Sequence, residues 1–201
     1  MKYGVDAPSR GHEFLIQPIF RPSRYFKIYG RFRQQLRQKN TSGLDNVITG
    51  IEDVLQRNFR LNISKNIEKY ITLKSRVEYV QVQRQSKGKE SGILFTQDLS
   101  FKPKSFPVDI TLRYALFDTE SYDTRIYTYE NNALYVFSIP AYYYRGSRAY
   151  ILLRYSFLRS MDLWVRYGFF LYDNRNEIGS GSELIQGNKR SDITIQLKIS
   201  L

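Results

Sequence analysis

The residue types that carry most enzyme chemistry are nearly missing from this chain. Among its 201 residues there is one histidine, His12, and no cysteine. One histidine is too few for a multi-histidine metal site and leaves a single candidate for a Ser-His-Asp triad. Without cysteine, disulfides and thiolate metal sites are excluded. We therefore expect a protein that is not an enzyme, with no catalytic residues, no bound metal and no cofactor.

Arginine and lysine are the residues whose spacing points to a site. The chain has 31 Lys and Arg against 19 Asp and Glu, which gives a formal net charge of +12. Many of these cations occupy alternate positions in segments whose other positions are apolar, so each segment would present one charged face. Eight of them form the candidate site, which we call the basic ladder: Lys27, Arg31, Arg33, Arg60, Arg76, Arg113, Arg154 and Arg166.

The basic ladder has two interpretations. Arginine pairs bidentately with carboxylates, so the ladder would form a salt-bridged network that plugs a narrow barrel. Alternatively, rings of Arg and Lys favour anions, and the ladder would line a weakly anion-selective lumen. We favour the network. Its expected acidic partners are Glu78, Asp98, Asp109 and Asp162.

An alternation of apolar and polar residues with a period of two dominates the chain. It is unbroken over residues 192–201, where the isoleucines and leucines all point to one side. This pattern predicts β-strands. Only Leu44–Leu55 has helical character, and because Gly50 interrupts it we expect a loop with one helical turn. The same alternation recurs in segments that begin at Phe26, Leu55, Ile71, Ile93, Val108, Ile151 and Leu163.

Connections of two sizes separate the predicted strands, and their alternation is typical of up-and-down outer-membrane barrels. To keep the alternation, the stretch from Asp118 to Tyr144 must hold two strands, with a tight turn at Asn131-Asn132. This predicts about eleven strands, within a range of ten to twelve. Closed barrels usually have an even number, so either residues 2–10 add a strand or sequence outside this chain completes the barrel.

Four features favour a membrane barrel over a soluble β-sandwich or barrel. Predicted strands of about ten residues would cross an apolar band when tilted by about 45°, whereas soluble strands typically have about five or six. The polar faces are unusually charged, which suits a lumen. The chain ends on an apolar strand residue, Leu201. Aromatic residues lie near predicted strand ends, where interface girdles are expected: Tyr114, Phe117, Tyr142, Tyr143, Tyr144, Phe170 and Tyr172.

Three stretches of the C-terminal half resemble a barrel region of Bacteroidota envelope proteins. They are Tyr129–Phe157, Leu163–Tyr167 and Ile178–Leu201. In that family the barrel region often follows a helix-hairpin-helix region in a much longer chain, and no part of this sequence matches the helix-hairpin-helix region. The resemblance implies an outer-membrane β-barrel and supplies no catalytic motif and no DNA-related role.

These features predict an all-β protein, a single domain over residues 1–201 that forms an antiparallel up-and-down transmembrane barrel or part of one. We expect it in the bacterial outer membrane as a pore or a structural anchor with a basic lumen. The expected partners are the lipid bilayer, the barrel-insertion machinery through the C-terminal strand, and other envelope proteins, but not nucleic acid. The alternative is a soluble β-rich binding module with a basic face for an acidic polymer or nucleic acid.

No apolar run is long enough for a transmembrane helix. The first residues, MKYGVDAPSRGHE, lack the apolar core of a signal peptide. We therefore expect the numbering to start at a mature N-terminus or inside a longer gene product.

Overall fold

The fold is taken from a computed structural model, which describes residues 5, 8–41 and 50–200. The predicted loop with a helical turn lies partly outside these residues, and its end, from Ile51 onward, is strand instead. The proposed strand at residues 2–10 and the terminal Leu201 also lie largely outside them. Residues 8–10, which are described, are not in a strand.

The described chain is built from β-strands and two short 3-10 turns, at Tyr122–Thr124 and Gly181–Glu183. No helix in it is long and apolar enough to cross a membrane. Eight strands are long. They are β3 (Phe26–Asn40), β4 (Ile51–Glu68), β5 (Ile71–Arg84), β6 (Gly88–Phe101), β7 (Val108–Thr119), β10 (Arg145–Leu158), β11 (Met161–Tyr172) and β14 (Lys189–Ile199).

The remaining strands are short. They are β1 (Gly11–Ile16), β2 (Ile19–Ser23), β8 (Ile126–Tyr127), β9 (Ala141–Tyr142), β12 (Glu177–Ile178) and β13 (Ile185–Gln186). Strands β1 and β2 both pair with β3 and form one edge that is broken at Gln17-Pro18. The break suits proline, which has no backbone N–H to give to a ladder.

The long strands form one antiparallel sheet in which each pairs with its neighbour in the chain. The order is β1/β2, β3, β4, β5, β6, β7, β10, β11, β14. The predicted all-β, antiparallel, up-and-down class is therefore confirmed. The sheet has nine strand positions rather than ten to twelve, and among the described strands it is open, with β1/β2 and β14 as its edges.

Short and long connections alternate strictly between the two ends of the sheet, as predicted. The pair of sheet strands that was expected between Asp118 and Tyr144 is not the cause. Strands β7 and β10 pair directly, from Asp118–Arg145 to Val108–Tyr155. The prediction that two strands of the sheet lie between Asp118 and Tyr144 is wrong, because this stretch holds only the short pair β8 and β9, which is outside the sheet, and its turn lies at residues 133–136 and not at Asn131-Asn132. Residues 120–144, which we call the covering segment, fold back over one face of the sheet, and this keeps the parity without adding a strand to the sheet.

The two faces of the sheet differ sharply in exposure. Ile195 and Leu197 on β14 are 67% and 54% exposed, whereas Arg166 on the neighbouring strand is 2% exposed. We call the face of Ile195 the outer face and the face of Arg166 the inner face. The outer face bears most of the exposed large apolar side chains, among them Phe59, Val77, Phe95, Leu112, Leu116 and Ile193.

The apolar core lies between the inner face and the covering segment. Ile126 and Tyr142 of the covering segment pack with Phe117, Phe170 and Tyr172 of the sheet. The ring of Phe117 is 5.5 Å from that of Tyr142 and 6.0 Å from that of Phe170. These four aromatic side chains are buried, so assigning them to an interface girdle was wrong, whereas Tyr114 is exposed on the outer face.

Candidate functional site

The strand register places all eight residues of the basic ladder on the inner face. Directly paired residues of antiparallel strands point to the same side. Arg31 pairs with Arg60, Arg60 with Glu78, and Arg113 with Tyr150, and the remaining members follow by the period of two. The alternation read from the sequence therefore identified the shared face correctly. Whether that face lines a lumen is part of the proposal below.

Glu78 of β5 holds two members of the ladder. Arg60 donates from Nε and one Nη to the two carboxylate oxygens of Glu78, at 2.9 and 3.0 Å. Arg76 donates to the same carboxylate from the other side. Because Glu78 is 3% exposed, it needs such charge-assisted partners.

Asp98 of β6 holds a third member. Arg113 donates to its two oxygens at 2.5 and 2.7 Å. The remaining Nη of Arg113 donates to the backbone carbonyl of Tyr129 at 2.6 Å, in the covering segment. One arginine thus ties two strands of the sheet to the segment above them.

Glu130 of the covering segment lies at the centre of the densest cluster, and it is fully buried. It accepts from Arg148 Nε at 3.1 Å and from one Arg148 Nη at 2.9 Å. Arg166 donates to the same carboxylate, and so does the hydroxyl of Tyr142, at 2.7 Å. Burial, together with the neighbouring Glu130 carboxylate, raises the pKa of Tyr142 well above its ordinary value, so this phenol stays a donor.

A second carboxylate completes the cluster from the edge strand. Asp192 of β14 accepts from Arg148 at 2.7 Å and from Arg166. The guanidinium groups also lie over rings, Arg148 over Phe170 at 4.4 Å and Arg166 over Tyr150 at 4.6 Å. Two buried arginines therefore meet two carboxylates and two aromatic faces, which compensates the cost of burying their charge.

The covering segment is attached to the sheet at several points between Asp123 and Asn131. At its start, Asp123 accepts from Arg84 at 2.8 Å. Further on, Thr128 accepts from Arg76 at 2.7 Å. Beyond Glu130, the carbonyl of Asn131 accepts from Arg166 at 3.2 Å. Arginines from β5, β7, β10 and β11 thus donate hydrogen bonds to successive residues of the covering segment.

The other members of the ladder lie apart from this cluster. Arg33 pairs with Glu13 at 2.7 Å, where both side chains are 40% exposed. Arg31 donates to Gln17 at 2.8 Å, and Lys27 lies over the ring of Tyr29.

Arg154 lies on the inner face near the short connection between β10 and β11, where it lines a cavity of about 290 Å³. It pairs with Asp162 at 3.1 Å and approaches Asp109 at 3.7 Å. All four expected acidic partners therefore meet an arginine of the ladder.

Sequence reasoning missed Arg148, Arg84, Glu130 and Asp123. Arg148 lies in the same period-two frame as Arg154, so extending that frame by six residues would have found it. Glu130 had no such signal, because its partners are 18 and 36 residues away in the chain. Only the fold-back of the covering segment brings them together.

The contacts described at this site are ion pairs, hydrogen bonds and ring contacts. Among residues 5, 8–41 and 50–200, no group of three His, Cys, Asp or Glu side chains is arranged to hold a metal ion. The carboxylate of Glu130 already accepts from three side chains, so it is committed to holding the covering segment on the sheet.

Comparison with protein-family models, with curated proteins and with solved structures found no match to this chain. The resemblance to the Bacteroidota barrel region therefore stays a prediction.

Proposed function

We propose that this chain forms part of the wall of an outer-membrane β-barrel whose lumen is occluded by the covering segment, and that it serves as a structural or anchoring component. One observation carries the proposal. The outer face of the sheet is apolar and exposed, while the inner face carries the charges, which are buried and paired where the covering segment lies over them. A soluble β-protein has the opposite arrangement, with its apolar face inside, whereas a membrane barrel turns its apolar face to lipid.

The limits of the apolar outer face support this proposal. On β5 it runs from Ile71 to Tyr79, which is about 20 Å in height at the usual strand tilt, against a barrel band of about 25 Å. Towards the long connections a polar row crosses the outer face, in which Arg57 donates to Gln34 at 2.9 Å. Within the band, the hydroxyl of Ser75 on β5 donates to Oε1 of Gln97 on β6 at 2.6 Å.

The free edges of the sheet bear on how a barrel would close. In lipid every backbone N–H and C=O needs a partner, so open edges do not occur there. With nine antiparallel positions, β1/β2 and β14 run in the same direction. Antiparallel closure would therefore need an odd number of further strands between them. A wall that is completed by other strands fits this requirement.

The pairing of the ladder favours an anchor over an open pore. Arg60, Arg76, Arg113 and Arg166 each have a carboxylate partner, and the covering segment lies across them. Neutralised cations attract anions weakly, so an anion-selective channel is the second candidate. Planar-bilayer recording separates the two, because the anchor should give no steady conductance.

A pair of adjacent positions on β11 tests the orientation of the sheet. Trp164 is the only tryptophan and lies on the inner face, 7% exposed, while Val165 points outward. We expect lipids with brominated chains to quench a Trp164→Phe/Val165→Trp variant several-fold more strongly than the native Trp164. The two indoles lie at the same depth, so only the direction of the side chain differs.

Equal quenching of the two proteins, or a chain that remains soluble and folded without detergent, would overturn the proposal. The second result would support the soluble module with a basic face. Its binding to an acidic polymer should then weaken steeply as the salt concentration rises.

A further inference from the structure

The four short connections of the sheet share a composition. They join β2 to β3, β4 to β5, β6 to β7 and β10 to β11, all at the same end of the sheet. Each combines a cation with a large apolar side chain next to it or two residues away. We call these eight residues the short-turn rim: Arg24 with Tyr25, Lys69 with Tyr70, Lys104 with Phe106, and Arg159 with Leu158.

The rim residues are exposed. Tyr25 and Tyr70 are 41% and 42% exposed, and Phe106 and Leu158 reach 60% and 56%. The four cations are exposed as well. None of them forms an ion pair with a described residue, and Arg24 lies over the ring of Tyr25 at 4.7 Å. The charge of the four rim cations is therefore not used in ion pairs within the described residues.

Charge distinguishes this end of the sheet from the other. The four short connections contain five cations and no carboxylate. In the described long connections, at 85–87, 120–144 and 173–188, there are three cations and six carboxylates. Among the described connections, a surplus of positive charge is thus found only at the short-turn end.

We infer that the short-turn rim docks on the anionic phospholipid headgroups of the leaflet at that end of the barrel. This inference rests on the proposed function, because it needs the outer face to be in lipid. Aromatic side chains with one apolar and one wet end lie at the headgroup level. Lys and Arg close to an anionic surface bind it electrostatically, within about one Debye length. The rim supplies an exposed cation at every short turn, with an amphipathic ring beside it at two of the turns, Tyr25 and Tyr70, and an exposed apolar side chain at the other two.

A lipid surface fits the rim better than a single soluble anion does. The four cations lie on separate turns spread along one end of the sheet, and an exposed apolar side chain lies beside each of them. A small anion would be contacted by one turn at a time, whereas a leaflet of headgroups meets all four together.

The test is insertion of the full chain into vesicles of phosphatidylcholine with or without phosphatidylglycerol, followed by heat-modifiable gel migration. The rim variant is Arg24→Gln/Lys69→Gln/Lys104→Gln/Arg159→Gln. The matched control removes the same charge at the other end, Lys89→Gln/Arg175→Gln/Lys189→Gln/Arg190→Gln, where all four cations are exposed too. Folding in neutral detergent is checked first for all three proteins.

We expect phosphatidylglycerol to speed insertion of the native chain by about tenfold at low salt, and high salt to remove the gain. The rim variant should lose the gain and the control should keep it. Equal loss in both variants would overturn the inference, because net charge alone would then account for it. So would a rim that binds soluble poly-glutamate without any dependence on lipid.

The two proposals fail in different ways. Insertion at one rate into both kinds of vesicle would overturn the lipid rim and leave the barrel standing. No insertion into either kind would overturn the barrel, and the rim with it.

Discussion

Two regions of the inner face use arginine differently. Near β10, β11 and β14, Arg148 and Arg166 are 2% exposed and meet the fully buried Glu130. Near the β1/β2 edge, Arg33 and its partner Glu13 are each 40% exposed. The sequence pattern is the same in both regions. What differs is the covering segment, which buries Arg148 and Arg166 in one region and makes no contact with Arg33 or Glu13 among the described residues.

The comparison shows that a charge ladder takes its energetic role from what lies above it. A buried ion pair is costly to break, because removing one partner leaves an unpaired charge in a region of low dielectric. An exposed pair is screened by water and contributes little. Arginine at the same period therefore contributes strongly to stability in the covered region and little in the exposed one.

Removing the central carboxylate should have the largest effect. Glu130→Ala leaves Arg148, Arg166 and the hydroxyl of Tyr142 without their shared acceptor. We expect the free energy of unfolding to fall by about 3–5 kcal/mol. Urea titration in detergent micelles, followed by tryptophan fluorescence, measures the loss.

The matched control is Glu13→Ala, which removes the exposed carboxylate of the other region. We expect no resolvable change in its unfolding midpoint. If the two variants lost stability equally, burial by the covering segment would not be what distinguishes the regions. Glu130→Gln should fall between the native chain and Glu130→Ala, because it keeps an acceptor while losing the charge.

Two glycines offer a smaller and more local test, Gly168 on the inner face beside Arg148 and Gly30 on the outer face of β3 near the β1/β2 edge. A Cβ at Gly168 would come within 2.9 Å of the guanidinium of Arg148, which Glu130 and Asp192 hold in place. A Cβ at Gly30 would have as its nearest neighbour an atom of Pro18 at 4.0 Å. We expect Gly168→Ala to cost about 1–3 kcal/mol through overcrowding.

Gly30→Ala should be neutral or slightly stabilising, since alanine loses less backbone entropy than glycine on folding. The same urea titrations measure both variants. A neutral Gly168→Ala would mean that Arg148 can move aside, and that the cluster is looser than its distances indicate.

The sequence predicted local structure well and long-range contacts poorly. The period of two identified the strands and sorted Arg31, Arg113 and Arg166 onto one face, because side chains alternate whatever the strand pairs with. It also made residues 125–129 look like another spanning strand. These residues do alternate, with Thr124, Ile126 and Thr128 buried, but their partner is the inner face instead of a neighbouring strand in the sheet.

The predicted aromatic girdle failed for a related reason. Phe117, Phe170 and Tyr172 lie near strand ends, as a girdle requires, but their frame points inward. Reading the frame of each aromatic residue, and not only its distance from the turn, would have placed them in the core. Burial of Glu130 could not be read in the same way, because it depends on 25 residues folding back as a unit.

The smallest expected effect is the coupling free energy between an arginine and its carboxylate in the exposed pair. A double-mutant cycle on Glu13 and Arg33, with Glu13→Gln and Arg33→Gln, should show nearly additive effects, since water competes for both side chains. The same cycle on Glu130 and Arg148 should be strongly non-additive, because each single change leaves a buried charge that the double change removes.

Raising the salt concentration should weaken only the exposed pair, because salt screens buried pairs much less. If coupling in the buried pair also fell with salt, water would reach Glu130, and the covering segment would open often enough to leave this part of the inner face accessible.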